Sequence, residues 1–464
     1  MNAARGLAAC VLAVALACPA LPPEPDLPDL RRGRASAEAG DVAAAERDLV
    51  PLARLGYLDA QLALAALYAR SQERPTLEKA LHWYRIAARR DPAATVPLSR
   101  VLLKLDDPST FAEAEKFLRA ADRKGDPRAL AALLEFYTDH PERDPRGTVG
   151  ALVARAEKQR GPEVESALIR WYRRHTGDAR IAAALAARCA RALARVPECY
   201  ADLARHHRAR GERAALARLT ADGVRAHRRG ALPAPALERM AWSLVQESVP
   251  GEPLPELAFP LLRRVMDASP TALVRVARLQ VEYPHLDPDG NPERLLRTAL
   301  AQGSPEAALA LGRLYLNGTR VPADPQRAER YLRQAAAAEP AAHYFLGRIY
   351  QRGHLGEADP ERAAAHLLAA ARGGYARADY ALARLFSDDR GVRPNRVYAW
   401  AFASLAAGSG LAEGPALAAQ LRASMTPGER RDAEALRGRE QARRAAAGAH
   451  PAPQQAALSA EHRR

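Results

Sequence analysis

The sequence predicts an all-α fold, a solenoid of about ten stacked helix pairs. Three observations carry this. A pattern recurs at about 35 residues along most of the chain: Leu311-Gly-Arg-Leu-Tyr315 returns as Leu346-Gly-Arg-Ile-Tyr350 and as Leu382-Ala-Arg-Leu-Phe386. The composition is 48% hydrophobic but only 5% aromatic, so Ala, Leu and Val must fill the core. Small side chains suit closely approaching helices, whereas a β-sandwich would draw on aromatic and β-branched residues. Helix-start signals recur with the same period, as in Asp324-Pro325 and Asp359-Pro360. A chain of 464 residues would by length suggest about three domains. The repeat replaces that count with stacked units.

Taken in order, the chain opens with a secretory signal at 1–17. Arg5 precedes a charge-free apolar run over 6–17, too short for the ~20 residues that span a bilayer and of the right length for a signal-peptide core. The run ends in Ala15-Leu16-Ala17-Cys18, which resembles a bacterial lipobox and makes Cys18 the candidate lipidation site. Ala15 stands where such boxes usually carry Leu. Leu7-Ala8-Ala9-Cys10 fits by letter but leaves no apolar run before the cut. An ordinary A-x-A cleavage at the same bond is the alternative, and either reading exports the chain. Pro19 follows Cys18 in place of the Asp that retains lipoproteins in the inner membrane, so this resemblance implies the outer membrane. Residues 18–34 begin Pro-rich and read as an extended, lipid-anchored spacer.

Each repeat unit reads as two helices. Leu311, Leu314 and Tyr315 fall on one face of the first. A loop follows, and the second helix starts with Asp324 as N-cap and Pro325 at the first helical position. The period extends backwards through Leu168-Ile-Arg-Trp-Tyr172, Leu133-Leu-Glu-Phe-Tyr137 and Leu64-Ala-Ala-Leu-Tyr68. It is least regular around 239–244. No unit could bury its apolar face alone, so neighbours must stack. Tyr315, Tyr350 and Phe386 are expected in the core.

These residues resemble the Sel1-like subclass of tetratricopeptide repeats, most specifically over 301–425, with 35–300 resembling divergent tetratricopeptide repeats. The resemblance implies a right-handed α-solenoid. The whole arrangement, from the signal to about Met425, is similar to the outer-membrane lipoproteins of bacterial alginate biosynthesis and export complexes. It implies a non-catalytic periplasmic scaffold that helps localise the export porin and binds other periplasmic modification and secretion proteins. A general exported Sel1-repeat adaptor of another envelope or signalling complex is the alternative. Beyond the repeats, Thr426-Pro427-Gly-Glu429 resembles a capping box that starts a helix over 426–444. The low-complexity segment 445–464 is expected to be disordered.

Signatures of chemistry are scarce. The sequence holds no phosphate-binding Gly-rich loop, no H-E-x-x-H and no G-x-S-x-G, and it gives no reason to expect an enzyme, a cofactor or a metal. His206-His207 are adjacent and so diverge on a helix. Asp287-Pro-Asp289-Gly-Asn291 alternates oxygen side chains, but Pro292 and Thr298 stand where a calcium loop needs Gly and Glu; a turn before a helix is expected. Cys189 and Cys199 flank a predicted helix–helix turn. They are either a disulfide, which an oxidising periplasm permits, or two buried thiols.

The formal charge is +15. Arg is spread along the chain, and export removes the opportunity for nucleic acid. Two readings stand: solvated helix faces, or attraction for an anionic polysaccharide. For protein partners the candidates are loops at equivalent places in three units, 317–323, 351–358 and 387–395, which align along one edge of a solenoid. Their candidate contact residues are Asn317, Gly318, Arg320, Arg352, His354, Asp389, Arg390 and Arg393.

Overall fold

The computed structural model describes residues 27–144, 147–159, 161–387 and 393–446. The candidate residues Cys18, Asp389 and Arg390 and nearly all of the 445–464 tail lie outside them. Among the described residues every regular element is helical. The chain divides into two compact units, 1–174 and 175–464.

The first unit contains α1 (Leu30–Ala39), α2 (Val42–Arg54), α3 (Leu58–Tyr68), α4 (Arg74–Ala88), α5 (Thr95–Lys104), α6 (Pro108–Arg123), α7 (Pro127–Asp139), α8 (Val149–Ala156) and α9 (Pro162–Arg174). The second contains α10 (Ala179–Ala192), α11 (Cys199–Ala209), α12 (Arg213–Arg228), α13 (Ala234–Ser243), α14 (Pro255–Val265), α15 (Pro270–Glu282), α16 (Pro292–Ala301), α17 (Pro305–Asn317) and α18 (Pro325–Ala335). It continues with α19 (Pro340–Arg352), α20 (Pro360–Arg372), α21 (Ala376–Ser387), α22 (Arg396–Gly408), α23 (Gly414–Ala423) and α24 (Pro427–Ala446). Within each unit consecutive helices pack as pairs, and first helices of successive pairs also touch, as α17 and α19 do. The first helix begins at Leu30, inside the segment read from sequence as spacer.

Local chemistry sets the boundaries. Asp324, Asp359, Ser304 and Asn291 cap α18, α20, α17 and α16 by accepting main-chain N–H bonds, each with Pro at the next position. Gly318 and Gly353 end α17 and α19 at φ 67° and 65°, a left-handed conformation that glycine adopts without a Cβ penalty. The Gly within the LGxLY pattern has a different reason. A Cβ on Gly312 would lie 2.5 Å from Leu332 Cγ, and one on Gly347 would lie 2.8 Å from Leu367 Cγ. The two helices of each pair therefore cross with nothing but hydrogen between a backbone and a leucine. Leu311, Leu314, Tyr315, Leu332, Leu346, Ile349 and Tyr350 share one buried cluster with Ala328, Ala335 and Ala363. The Ala-rich composition is thus the packing solution itself.

The second unit closes with α24. Thr426 and Glu429 form the reciprocal capping box: the Thr426 N–H donates to Glu429 at 2.7 Å and the Glu429 N–H to Thr426 Oγ1 at 3.3 Å. The helix then lies across α22 and α20. Arg444 donates two bonds to buried Asp379 at 2.7 and 3.0 Å, and Arg372 donates two to buried Glu440 at 2.8 and 3.1 Å.

Candidate interaction surface and its supports

The loops after α17, α19 and α21 are closed in one way. The main-chain N–H groups of Asp324, Asp359 and Asn395 donate to the carbonyls of Tyr315, Tyr350 and Phe386, each at 2.9 Å. The aromatic of the LGxLY pattern is therefore also the point where the loop returns to its helix. Three successive loops start and end on the same bonds.

The candidate contact residues separate once placed. Asn317, Arg352, His354 and Arg393 are exposed. Gly318 is a helix cap. Arg320 is spoken for: its guanidinium donates to the carbonyls of Asp287 and Gly290 at 2.8 Å and Pro288 at 3.1 Å. Its own backbone sits at φ 67°, a costly conformation for a residue with a Cβ, and those three bonds offset the cost. The same bonds fill the loop that looked like a calcium site. Asp287 accepts from buried Gln280 at 2.7 Å, and Asn291 caps α16.

Around 351–358 the positive groups crowd. Partial burial lowers the pKa of Arg352, and Arg348 lowers it further. His354 is likewise pushed down, first by burial and then by Arg352 and Arg348. The imidazole is held neutral beside two guanidinium groups, and the cluster favours an anionic neighbour.

The expected core aromatics are buried, yet their hydroxyls are not apolar packing. Tyr315 donates to Glu293 on the preceding pair at 2.6 Å, and Arg297 meets the same carboxylate at 2.8 Å. Arg327 lies 5.5 Å over the Tyr315 ring. Tyr350 donates to Glu329, which Arg333 meets at 2.7 Å. In the first unit Tyr68 bonds Glu46 at 2.6 Å, and Tyr137 bonds Glu115 at 2.7 Å. Each tie joins the first helix of one pair to the second helix of the pair before. The signal for it was present in the sequence: a Glu stands 21 or 22 residues ahead of each of these tyrosines.

The turn between α10 and α11 carries Cys189 and Cys199 as a disulfide with Cα atoms 5.0 Å apart. Both are fully buried, and Asp202, paired with Arg205, lies beside Cys189. Of the adjacent histidines, His207 bonds Glu212 at 2.6 Å. With Arg210 it pulls the Glu212 carboxyl down to about 2, Arg210 having the larger effect.

Helix pairs with Gly-mediated crossings and loops closed on a repeating aromatic define a Sel1-type repeat protein. Sel1 repeat models match residues 58–92, 305–339, 340–375 and 376–411, and a model described as the AlgK tetratricopeptide repeat domain matches 182–266. The chain is 34% identical to the alginate biosynthesis protein AlgK of Pseudomonas syringae pv. tomato, covering 94% of this chain and 93% of that one. It is 35% identical to AlgK of Pseudomonas aeruginosa, covering 89% and 88%. It is 34% identical to AlgK of Azotobacter vinelandii, covering 96% of each. The chain belongs to the AlgK family. Among the described residues no helix is long and apolar enough to cross a membrane.

Proposed function

We propose that this protein is a non-catalytic periplasmic scaffold, held at the outer membrane by a lipid on Cys18, that assembles an alginate secretion complex and helps localise its export porin. Membership of a family whose relatives are named alginate biosynthesis proteins carries the reading. The repeat architecture supports it, because stacked pairs present extended surfaces to protein partners. The contact edge is the set of loops after α17, α19 and α21. Asn317, Arg352, His354 and Arg393 stand on it, while Arg320 positions the first loop from behind; Asp389 and Arg390, also proposed as contacts, lie outside the described residues. The cationic group at 348–354 fits an acidic segment of a partner.

The test is a pull-down of the export porin from detergent extracts with Arg352→Glu/Arg393→Glu protein. Reduced recovery of the porin, with the chain still folded by circular dichroism, is the expected result. Deletion should also reduce secreted uronate and mislocalise the porin. Normal secretion and porin placement in the deletion strain would reject the scaffold reading.

A further inference from the structure

Exposed large apolar side chains are concentrated near the start of the described structure. Leu27, Val42, Leu55 and Tyr57 belong to this set, and Tyr398 is the remaining member among the described residues. Leu27 is 76% exposed, Leu55 77% and Tyr57 55%. Three of these four, Leu27, Leu55 and Tyr57, lie just outside the start of α1 and the end of α2. α1 and α2 are joined by a tight turn at Gly40 and run antiparallel, so α1 begins where α2 ends. The start of α1 is fixed against the middle of α2: the Asp29 N–H donates to Asp48 at 3.3 Å, and Arg32 bridges Asp48 and the Leu27 carbonyl at 2.6 and 3.2 Å. Leu55 and Tyr57 flank the turn that leaves α2. Arg90, from the end of α4, donates to the Gly56 carbonyl between them at 2.6 Å. Arg54 and Arg89 are exposed there, as are the acids Asp29 and Asp59.

Three large apolar side chains facing water beside a group of arginines form a surface suited to a lipid headgroup layer. Aliphatic and aromatic tips enter the boundary while guanidinium groups meet phosphates. The sequence says which surface is at hand. Eight residues, four of them proline, separate Cys18 from Leu27. Nine residue steps reach at most about 30 Å. A lipid on Cys18 keeps Leu27 within that distance of the membrane. We infer that the end formed by Leu27, Leu55, Tyr57, Arg54 and Arg89 docks on the phospholipid leaflet that holds the anchor, so that the first helix pairs are oriented against the membrane and not merely tethered to it. The inference rests on the anchor reading of Cys18.

The experiment uses the full lipidated chain in vesicles of phosphatidylethanolamine and phosphatidylglycerol containing doxyl-labelled lipid. An environment-sensitive fluorophore is placed at Tyr57→Cys, at Leu27→Cys or, as the control at the other end of α2, at Val42→Cys. Lipidation blocks Cys18, and the disulfide occupies Cys189 and Cys199. The mass of the Cys18 peptide is measured first. Blue-shifted, quenched emission at 57 and 27 with unquenched emission at 42 is the expected result, and Leu55→Asp should abolish the quenching at 57. An acylated chain with no quenching at 57 or 27, or with equal quenching at 42, overturns docking and leaves the anchor standing. A chain without acyl groups removes the anchor and the docking with it.

Discussion

Replacing Arg208 by Met tests how repeats are held at the least regular stretch of the chain. Arg208 is only 2% exposed, and burial lowers its pKa. Its guanidinium donates to four main-chain carbonyls: Ser243 and Gln246 at 3.1 and 2.8 Å, Gly251 and Glu252 at 3.1 Å each. Those carbonyls lie at and just beyond the C-terminal end of α13, where the helix dipole favours a cation. In the Met variant Ser243, which is buried, loses a partner at a cost of about 1–3 kcal/mol. The other three carbonyls can turn to water and lose about 0.5–1.5 kcal/mol each. These losses come to about 2.5–7.5 kcal/mol, and relief of the buried charge offsets part of them. The net loss should be about 2–4 kcal/mol, felt first by residues 244–254. A chain of this size does not unfold in one step, so the assay is native-state hydrogen exchange. Protection at the Leu254 N–H, which donates to Leu244 at 2.9 Å, should fall by about thirtyfold or more. Unchanged exchange there, in a variant that keeps its helix content, would show that the carbonyls are satisfied without Arg208 and refute the reasoning.

Gly312→Val should destabilise the α17–α18 pair by about 1–3 kcal/mol through overpacking against Leu332, read as a lower melting temperature. Tyr350→Phe removes a hydroxyl from Glu329 but leaves Arg333 in place. It should cost about 1–2 kcal/mol, and a circular dichroism melt indistinguishable from the parent would argue against the tie. Acidification should loosen α24: Arg372 foremost, then Arg443, holds Glu440 below the ordinary glutamate range, so its contribution is full above about pH 4.5 and lost as the pH falls through the lowered value. Burial raises Asp379 and gives it the opposite sign; exchange of α24, corrected for its intrinsic pH dependence, shows which dominates. Arg320→Gln should release the 287–290 carbonyls and raise the susceptibility of that loop to proteolysis, while porin recovery changes less than with Arg352→Glu.

Much of this fold was legible because repeats report the same physics several times. Asp324-Pro325 and Asp359-Pro360 named helix starts that the structure places there, and the LGxLY stretches named first helices. Cys189 and Cys199 could be placed on either side of one turn, but only the geometry shows them paired. What the pattern hid lies between units. An apolar period assigns Tyr315 to the core and is silent about its hydroxyl, because the Glu293 partner belongs to another helix. Arg320 was read as a partner contact because a basic residue in a Gly-containing loop looks solvent-facing. Its guanidinium is bonded to carbonyls 30 to 33 residues upstream, and backbone acceptors have no letter in a sequence. The reading of 18–34 as spacer failed at its end for a related reason. Pro-rich composition fades by Leu30, and Asp29 is an N-cap that accepts from Arg31 and Arg32.

The surplus of positive charge follows from the same arrangement. Arg70 donates to the carbonyls of Ala37 and Glu38, Arg90 to Gly56, and Lys104 to Ala69. Arg128 reaches Ala93 and Arg174 reaches Thr138. With Arg320, these cations reach back 30 to 36 residues, one repeat, to carbonyls at helix ends or in turns. A carbonyl carries partial negative charge but counts as zero in a formal sum. A cation used to cap the previous repeat therefore adds to the net charge unless an acid also pairs with it, as Asp126 does with Arg128 and Asp139 with Arg174, and a longer array of such repeats becomes more basic. Part of the +15 is accordingly the signature of how units are stapled, and neutralising those residues should weaken the stack even as it lowers the self-repulsion of the chain. An anionic polymer or partner is left with the cations that face water, among which are Arg352 and Arg393 at the loops after α19 and α21 and Arg54 and Arg89 at the ends of α2 and α4.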